Sequence, residues 1–100
     1  MRLNKEELIK AFTLGYSDIG DKSSNLEIKE EKGRKVLYNY NTIIAGWESP
    51  NQLLINDNNY SSTTTRNQNL LKEYANDKAE ILPAKEMYDR LDIKPDWRSL

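Results

Sequence analysis

The sequence predicts an α+β fold: a small antiparallel sheet of three to four strands with helices packed on one side, in the order α-β-β-β-(β)-α-α. Three observations predict it. Apolar residues recur at helical spacing near both ends of the chain. Between them, Leu26 to Ile55 holds short runs that alternate or are rich in β-branched and aromatic residues. Turn-forming residues separate those runs. A chain of 100 residues suffices for one compact domain and is too short for two. Residues 1–100 therefore read as a single domain, with 92–100 as a candidate C-terminal tail.

The first helix is expected over Lys5–Leu14. Asn4 is an N-cap, Glu7 completes a capping box, and Leu3 and Leu8 occupy the staple positions. Leu8, Ile9 and Phe12 give one apolar stripe, and Gly15 ends the helix. Tyr16 to Ser24 reads as loop. Leu26 to Glu30 alternates like a half-buried strand, and Lys32-Gly33 is a tight turn. Val36 to Ile44 is the strongest strand signal. Ser49-Pro50-Asn51 turns the chain into a short strand at Gln52 to Ile55, and Asp57-Asn58-Asn59 turns it again. Tyr60 to Thr63 is a candidate fourth extended piece. Thr65 is the expected N-cap of a helix over Arg66–Ala75, with Gln68 at the capping-box position. Pro83 suits the first turn of a last helix, Ala84–Leu91. Pro95 stops it, leaving Trp97 in the tail. The expected core is Leu8, Phe12, Val36, Tyr38, Ile44, Leu54, Leu70, Leu71 and Tyr74.

The chain contains no cysteine and no histidine. That excludes disulfides, thiolate nucleophiles and Cys-ligated zinc, and removes the commonest general base. The expectation is a non-enzyme with no catalytic residues, no metal and no cofactor. The net charge of -1 argues against non-specific capture of polyanions. No apolar run approaches the ~20 residues that span a membrane, and the charged start does not resemble a signal peptide. The expected location is the cytoplasm of a host bacterial cell. Abundant Asn, Lys and Ile, with few Ala, Gly and Pro, match AT-rich coding.

Charge is unevenly placed. Residues 1–35 carry eight basic and seven acidic side chains, and residues 71–100 carry six and seven. Residues 36–70 carry only Arg66, Glu48 and Asp57. Acidic residues in the flanks sit beside Lys or Arg, as in Lys72-Glu73, Lys85-Glu86 and Asp89-Arg90, which reads as solvated helix surface. Asp57-Asn58-Asn59 fails as a calcium loop, since the sixth position is Ser62 and the twelfth is Gln68. The hydroxyl run Ser61 to Thr65 before Arg66 reads mainly as capping, with phosphate or partner contact as the alternative. Tyr38, Tyr40, Trp47 and Tyr60 surround the sheet and divide between core and interface roles. The candidate partner-binding residues are Asn39, Asn41, Asn58, Asn59, Arg66 and Asn67. Asn supplies hydrogen bonds, and Arg66 is the only cation of the central region.

The run Tyr38-Asn39-Tyr40-Asn41-Thr42-Ile43-Ile44-Ala45, then Asn56 to Ser61 and Thr63-Thr64-Thr65-Arg66-Asn67-Gln68-Asn69, resembles a family of small phage and mobile-element proteins of low-GC Gram-positive bacteria. The resemblance covers about residues 36–75. Its most specific part is the Tyr-Ser-x-Thr-Thr stretch leading to Gln-Asn. Members of that family often carry a basic residue and a histidine before the Gln. Here Arg66 and Asn67 stand there, so chemistry resting on that histidine is ruled out. The family brings no established activity. The resemblance implies a small protein that binds and inhibits a host machine, such as a bacterial immunity nuclease, as anti-CRISPR proteins do. Its partner would be a host protein or protein–nucleic-acid complex. A nucleic-acid-binding accessory or regulatory protein and a structural or assembly factor are the alternatives.

Overall fold

Asn4 opens the first helix as its capping box predicts. Its Oδ1 accepts from Glu7 N at 2.8 Å, and Asn4 N donates to Glu7 Oε1 at 3.2 Å. In the computed structural model, which describes residues 3–94, this helix (α1) spans Lys5–Leu14. Gly15 ends it at φ 81°, a left-handed conformation that costs glycine little.

Six strands follow: β1 (Lys22–Ser23), β2 (Leu26–Glu31), β3 (Arg34–Asn39), β4 (Thr42–Ser49), β5 (Gln52–Asn56) and β6 (Ala79–Leu82). They form one sheet in the order β1-β2-β3-β4-β5-β6. The first five make an antiparallel meander. The sixth pairs with β5 in parallel, Leu53 opposite Ala79 and Asn56 opposite Leu82. A parallel neighbour needs a long crossover. Helix α2 (Ser62–Ala75), followed by a short 3₁₀ turn (Asn76–Lys78), supplies it. A third helix, α3 (Ala84–Arg90), follows β6.

The α+β class and the antiparallel core of the sheet match expectation, and so does α1. The strand number and the layering do not. Tyr40 and Asn41 break the Val36–Ile44 run into two strands, with Tyr40 at φ 57°. The stretch Tyr16–Ser24 contains β1, and β6 was not anticipated: four residues, Ala-Glu-Ile-Leu, carry too little signal. Tyr60–Thr63 is not a strand. Ser61, not Thr65, caps α2, its Oγ accepting from Thr64 N at 3.4 Å.

The helices lie on both faces of the sheet rather than on one side. Helices α1 and α2 cover one face through a core of Leu8, Ile9, Phe12, Leu26, Ile28, Leu37, Ile44, Leu53, Ile55 and Leu71. Helix α3 covers the other through Val36, Ile43, Leu54, Leu82, Met87, Tyr88 and Leu91. Strands β4 and β5 are buried on both faces, which explains their continuous apolar runs. A bulge makes this possible in β4. Leu37 pairs with Ala45 but Tyr38 pairs with Ile43, so Ile44 is the extra residue. Ile44 and Ala45 therefore both join the first core, while Ile43 and Gly46 face α3.

Of the expected core, Leu8, Phe12, Val36, Ile44, Leu54 and Leu71 are buried, whereas Tyr38, Leu70 and Tyr74 are half-buried. Asp92–Ile93, at the start of the candidate tail, still belongs to the fold. Ile93 N donates to Tyr88 O at 3.0 Å, and its side chain packs on the second core. Residues 95–100 of the expected tail, with Pro95 and Trp97, lie outside the described residues.

Candidate functional site

The uncharged centre of the chain converges on one end of the sheet. Asn39, at the last position of β3, is buried beneath the start of α2. Its Oδ1 accepts from Asn67 Nδ2 at 2.7 Å and from Asn25 Nδ2 at 3.1 Å, and its Nδ2 donates to Thr64 Oγ1 at 2.7 Å. Thr64 and Asn67 lie three residues apart on α2, so both reach the same strand end.

A second group ties the loop after β5 to both following helices. Buried Asn56 donates to Ile43 O at 3.0 Å and to Tyr60 Oη at 2.9 Å, while its Oδ1 accepts from Asn58 N at 2.8 Å. Gln68 Nε2 donates to Asn56 O at 2.6 Å and to Asn58 O at 3.0 Å. Asn58 Oδ1 then accepts from Ala84 N at 2.9 Å, capping the start of α3. Tyr88 Oη accepts from Ile43 N at 3.1 Å, so side chains satisfy both backbone groups of Ile43, next to the bulge. Burial raises the Tyr60 hydroxyl above its ordinary pKa, against the opposing pull of Asn56.

These contacts sort the six candidate residues. Asn39 and Asn67 are buried, and Asn58 is half-buried with its amide oxygen spent on α3. Asn39 and Asn67 are therefore interior scaffold and offer no outward contact surface, which corrects their reading as partner contacts. Asn41, Asn59 and Arg66 are exposed. They stand on the β3–β4 turn, the loop after β5 and the second turn of α2, segments that the buried amides bind together. The low charge of residues 36–70 follows from the two-sided apolar core of the sheet together with this interior network, because uncharged amides and hydroxyls can be buried when hydrogen-bonded.

Arg66 differs from its neighbours. Among the described residues it makes no ion pair, whereas Lys72 pairs with Asp57 at 2.6 Å, and Arg90 with Glu48 at 2.6 Å and with Glu80. Arg34 joins the Arg90 cluster, donating to Glu48 O at 3.1 Å and Leu91 O at 2.8 Å. The hydrogen bond from Arg90 holds the Glu48 carboxyl below its ordinary pKa. Of the adjacent charges read from sequence, Lys72 and Arg90 pair with residues distant in the chain, and Lys85 and Glu86 make no ion pair among the described residues. Sequence reasoning missed the Arg90 cluster because its members lie on four different elements.

Tyr40 was singled out only as one of four aromatics. Trp47 donates its indole N–H to Phe12 O at 3.0 Å, Tyr38 donates to Glu31, and Tyr60 is half-buried against Asn56. Tyr40 alone of the four is exposed, at 69%. Among the described residues no group of His, Cys, Asp or Glu side chains is placed to hold a metal ion, and no helix is long and apolar enough to cross a membrane.

A family model described as a family of unknown function (DUF8033) matches residues 14–89, and the chain belongs to that family. The match takes in the whole sheet, α2 and most of α3. No curated protein and no solved structure matches the chain significantly.

Proposed function

We propose that this DUF8033 member is a non-catalytic binding protein, carried by phages or mobile elements, that inhibits a host macromolecular machine in the bacterial cytoplasm. A bacterial immunity nuclease, bound in the manner of anti-CRISPR proteins, is the partner class this reading names. The phage resemblance of residues 38–69 motivates the class. The observation that carries the binding mode is the rim of Asn41, Asn59 and Arg66 around a hydrogen-bonded interior. Such a network holds three surface segments in one arrangement before a partner arrives, which lowers the ordering cost of binding. Arg66, with no carboxylate partner among the described residues, can meet one on the partner, and the two exposed amides supply hydrogen bonds around it.

The test uses purified guide-loaded CRISPR nucleases from low-GC Gram-positive hosts. Inhibition of target-DNA cleavage and direct binding are measured for the wild type, Arg66→Ala, an Asn41→Ala/Asn59→Ala double variant and a charge-swapped Lys85→Glu/Glu86→Lys control. Each is first checked by thermal melt. The expected result is stoichiometric inhibition by the wild type and control, at least about tenfold weaker for Arg66→Ala. If the control loses inhibition while the rim variants keep it, the exposed face of α3 carries the function instead. A steep loss of affinity with salt, together with binding to free oligonucleotides, would favour the nucleic-acid-binding alternative.

A further inference from the structure

Tyr40 occupies the β3–β4 turn at φ 57°. This left-handed conformation suits Gly and Asn, and a bulky side chain there is an outlier with a backbone cost. Burial of the ring does not offset that cost, since the residue is 69% exposed. The backbone around it is well held: Tyr40 N donates to Asn25 O at 2.8 Å, and the preceding Asn39 is locked beneath α2. The strain is thus imposed by a rigid frame and is not spread into a loose loop. Gly or Asn would make the same turn at lower cost, so turn formation does not explain the ring.

Tyr40 also lines a depression of about 440 Å³, shared with Lys22, Ser24, Asn25, Leu26 and Glu27. Its two charged members lie 3.9 Å apart, Lys22 Nζ to Glu27 Oε1, so its margin is electrically balanced. A depression with balanced charge does not suit a phosphate backbone, which needs excess positive charge. It suits an uncharged segment of a protein.

We infer that Tyr40 is the aromatic anchor of the interface, its ring and the adjoining depression receiving an uncharged loop or strand of the partner protein. The inference rests on the proposed binding function and extends it to a residue outside the six candidates. Tyr has few rotatable bonds and a large flat area, the properties of an interface hot spot.

The decisive comparison sets Tyr40→Gly beside Tyr40→Phe and Tyr16→Ala. Tyr16 is 80% exposed at the end of α1 and serves as a control for loss of any surface tyrosine. Thermal melts and inhibition of the guide-loaded nuclease panel are read for all three. The expected Tyr40→Gly protein melts no lower than the wild type, and by relief of strain up to roughly 8 °C higher. It inhibits at least about tenfold more weakly. Tyr40→Phe and Tyr16→Ala stay close to the wild type. If Tyr40→Gly inhibits as well as the wild type, the anchor role is overturned and the inhibitor reading stands. If Tyr40→Gly melts lower, the strain argument fails and the inference with it. If the wild type inhibits no nuclease in the panel, the inhibitor reading itself falls, and the anchor role falls with it. Ring-dependent binding to a single-stranded oligonucleotide would overturn the choice of a protein partner.

Discussion

Asn39 is the residue on which the polar interior depends. It accepts two hydrogen bonds and donates one, all to other side chains. Truncating it takes the acceptor from Asn67 Nδ2 and Asn25 Nδ2, while Thr64 Oγ1 keeps Ser61 Oγ at 3.2 Å, and each buried polar group without a partner costs about 1–3 kcal/mol. Asn39→Ala is therefore expected to destabilise by about 2–4 kcal/mol in a urea melt. Exposed Asn59→Ala is expected to change stability by less than about 0.5 kcal/mol. Equal effects would show that the network does not hold the fold. In the sequence all five asparagines read alike as candidate partner contacts, whereas Asn39 and Asn67 are buried. Residue type alone does not separate an Asn that reads a partner from one that satisfies a helix start. The separation came from β3 ending at Asn39 directly under α2, a tertiary fact. Tyr74 offers a second residue-scale test. Its hydroxyl donates to Glu6, and this bond pushes its pKa up from 10.0 to about 12. A group whose folded pKa is raised adds stability that is fully present below its unfolded pKa. That increment is lost as pH rises from about 10 to about 12. Glu6→Gln is expected to bring the tyrosinate absorbance transition of Tyr74 to lower pH. An unchanged transition would show that α1 and α2 are not joined there.

At the scale of elements, local signals were legible wherever they were self-contained. The Asn4–Glu7 capping box located α1, and Lys32-Gly33 formed the expected hairpin, with both residues at positive φ. Signals failed where a neighbour decided the outcome. Val36 to Ile44 reads as one strand because its apolar residues are continuous. That continuity reflects burial on two faces and the Ile44 bulge, not length. Thr65 was a sound cap by composition, but Ser61 lies one turn earlier and leaves Thr64 and Asn67 to reach β3. The placement of α3 opposite α1 and α2 depends on Gly46. A Cβ built there would lie 2.7 Å from Leu91 Cδ1 and 3.2 Å from Val36 Cγ1. Gly46→Ala is expected to cost about 1–3 kcal/mol through this overpacking. Leu91→Ala is expected to relieve part of it in the double variant, read as non-additivity in denaturant melts. Additive losses would place the end of α3 elsewhere. On the other face, Leu71→Ala is expected to cost about 2–5 kcal/mol. Half-buried Leu70→Ala should cost less.

At the scale of the whole molecule, the sheet divides the protein into a structural middle and two ends. Near the end of α3, the Arg34–Glu48–Arg90–Glu80 cluster ties α3 to β3, β4 and β6, with its charges satisfied internally. At the other, the amide network presents Asn41, Asn59 and Arg66, with Tyr40 beside them. Paired surface charges mainly confer solubility, and the proposed partner surface is the amide end. Hydrogen–deuterium exchange of the protein alone and bound to an inhibited guide-loaded nuclease tests this most directly. The account predicts new protection at residues 40–41 and 57–66, with 84–94 unchanged. Protection confined to 84–94, with 40–41 and 57–66 exchanging as in the free protein, would contradict it.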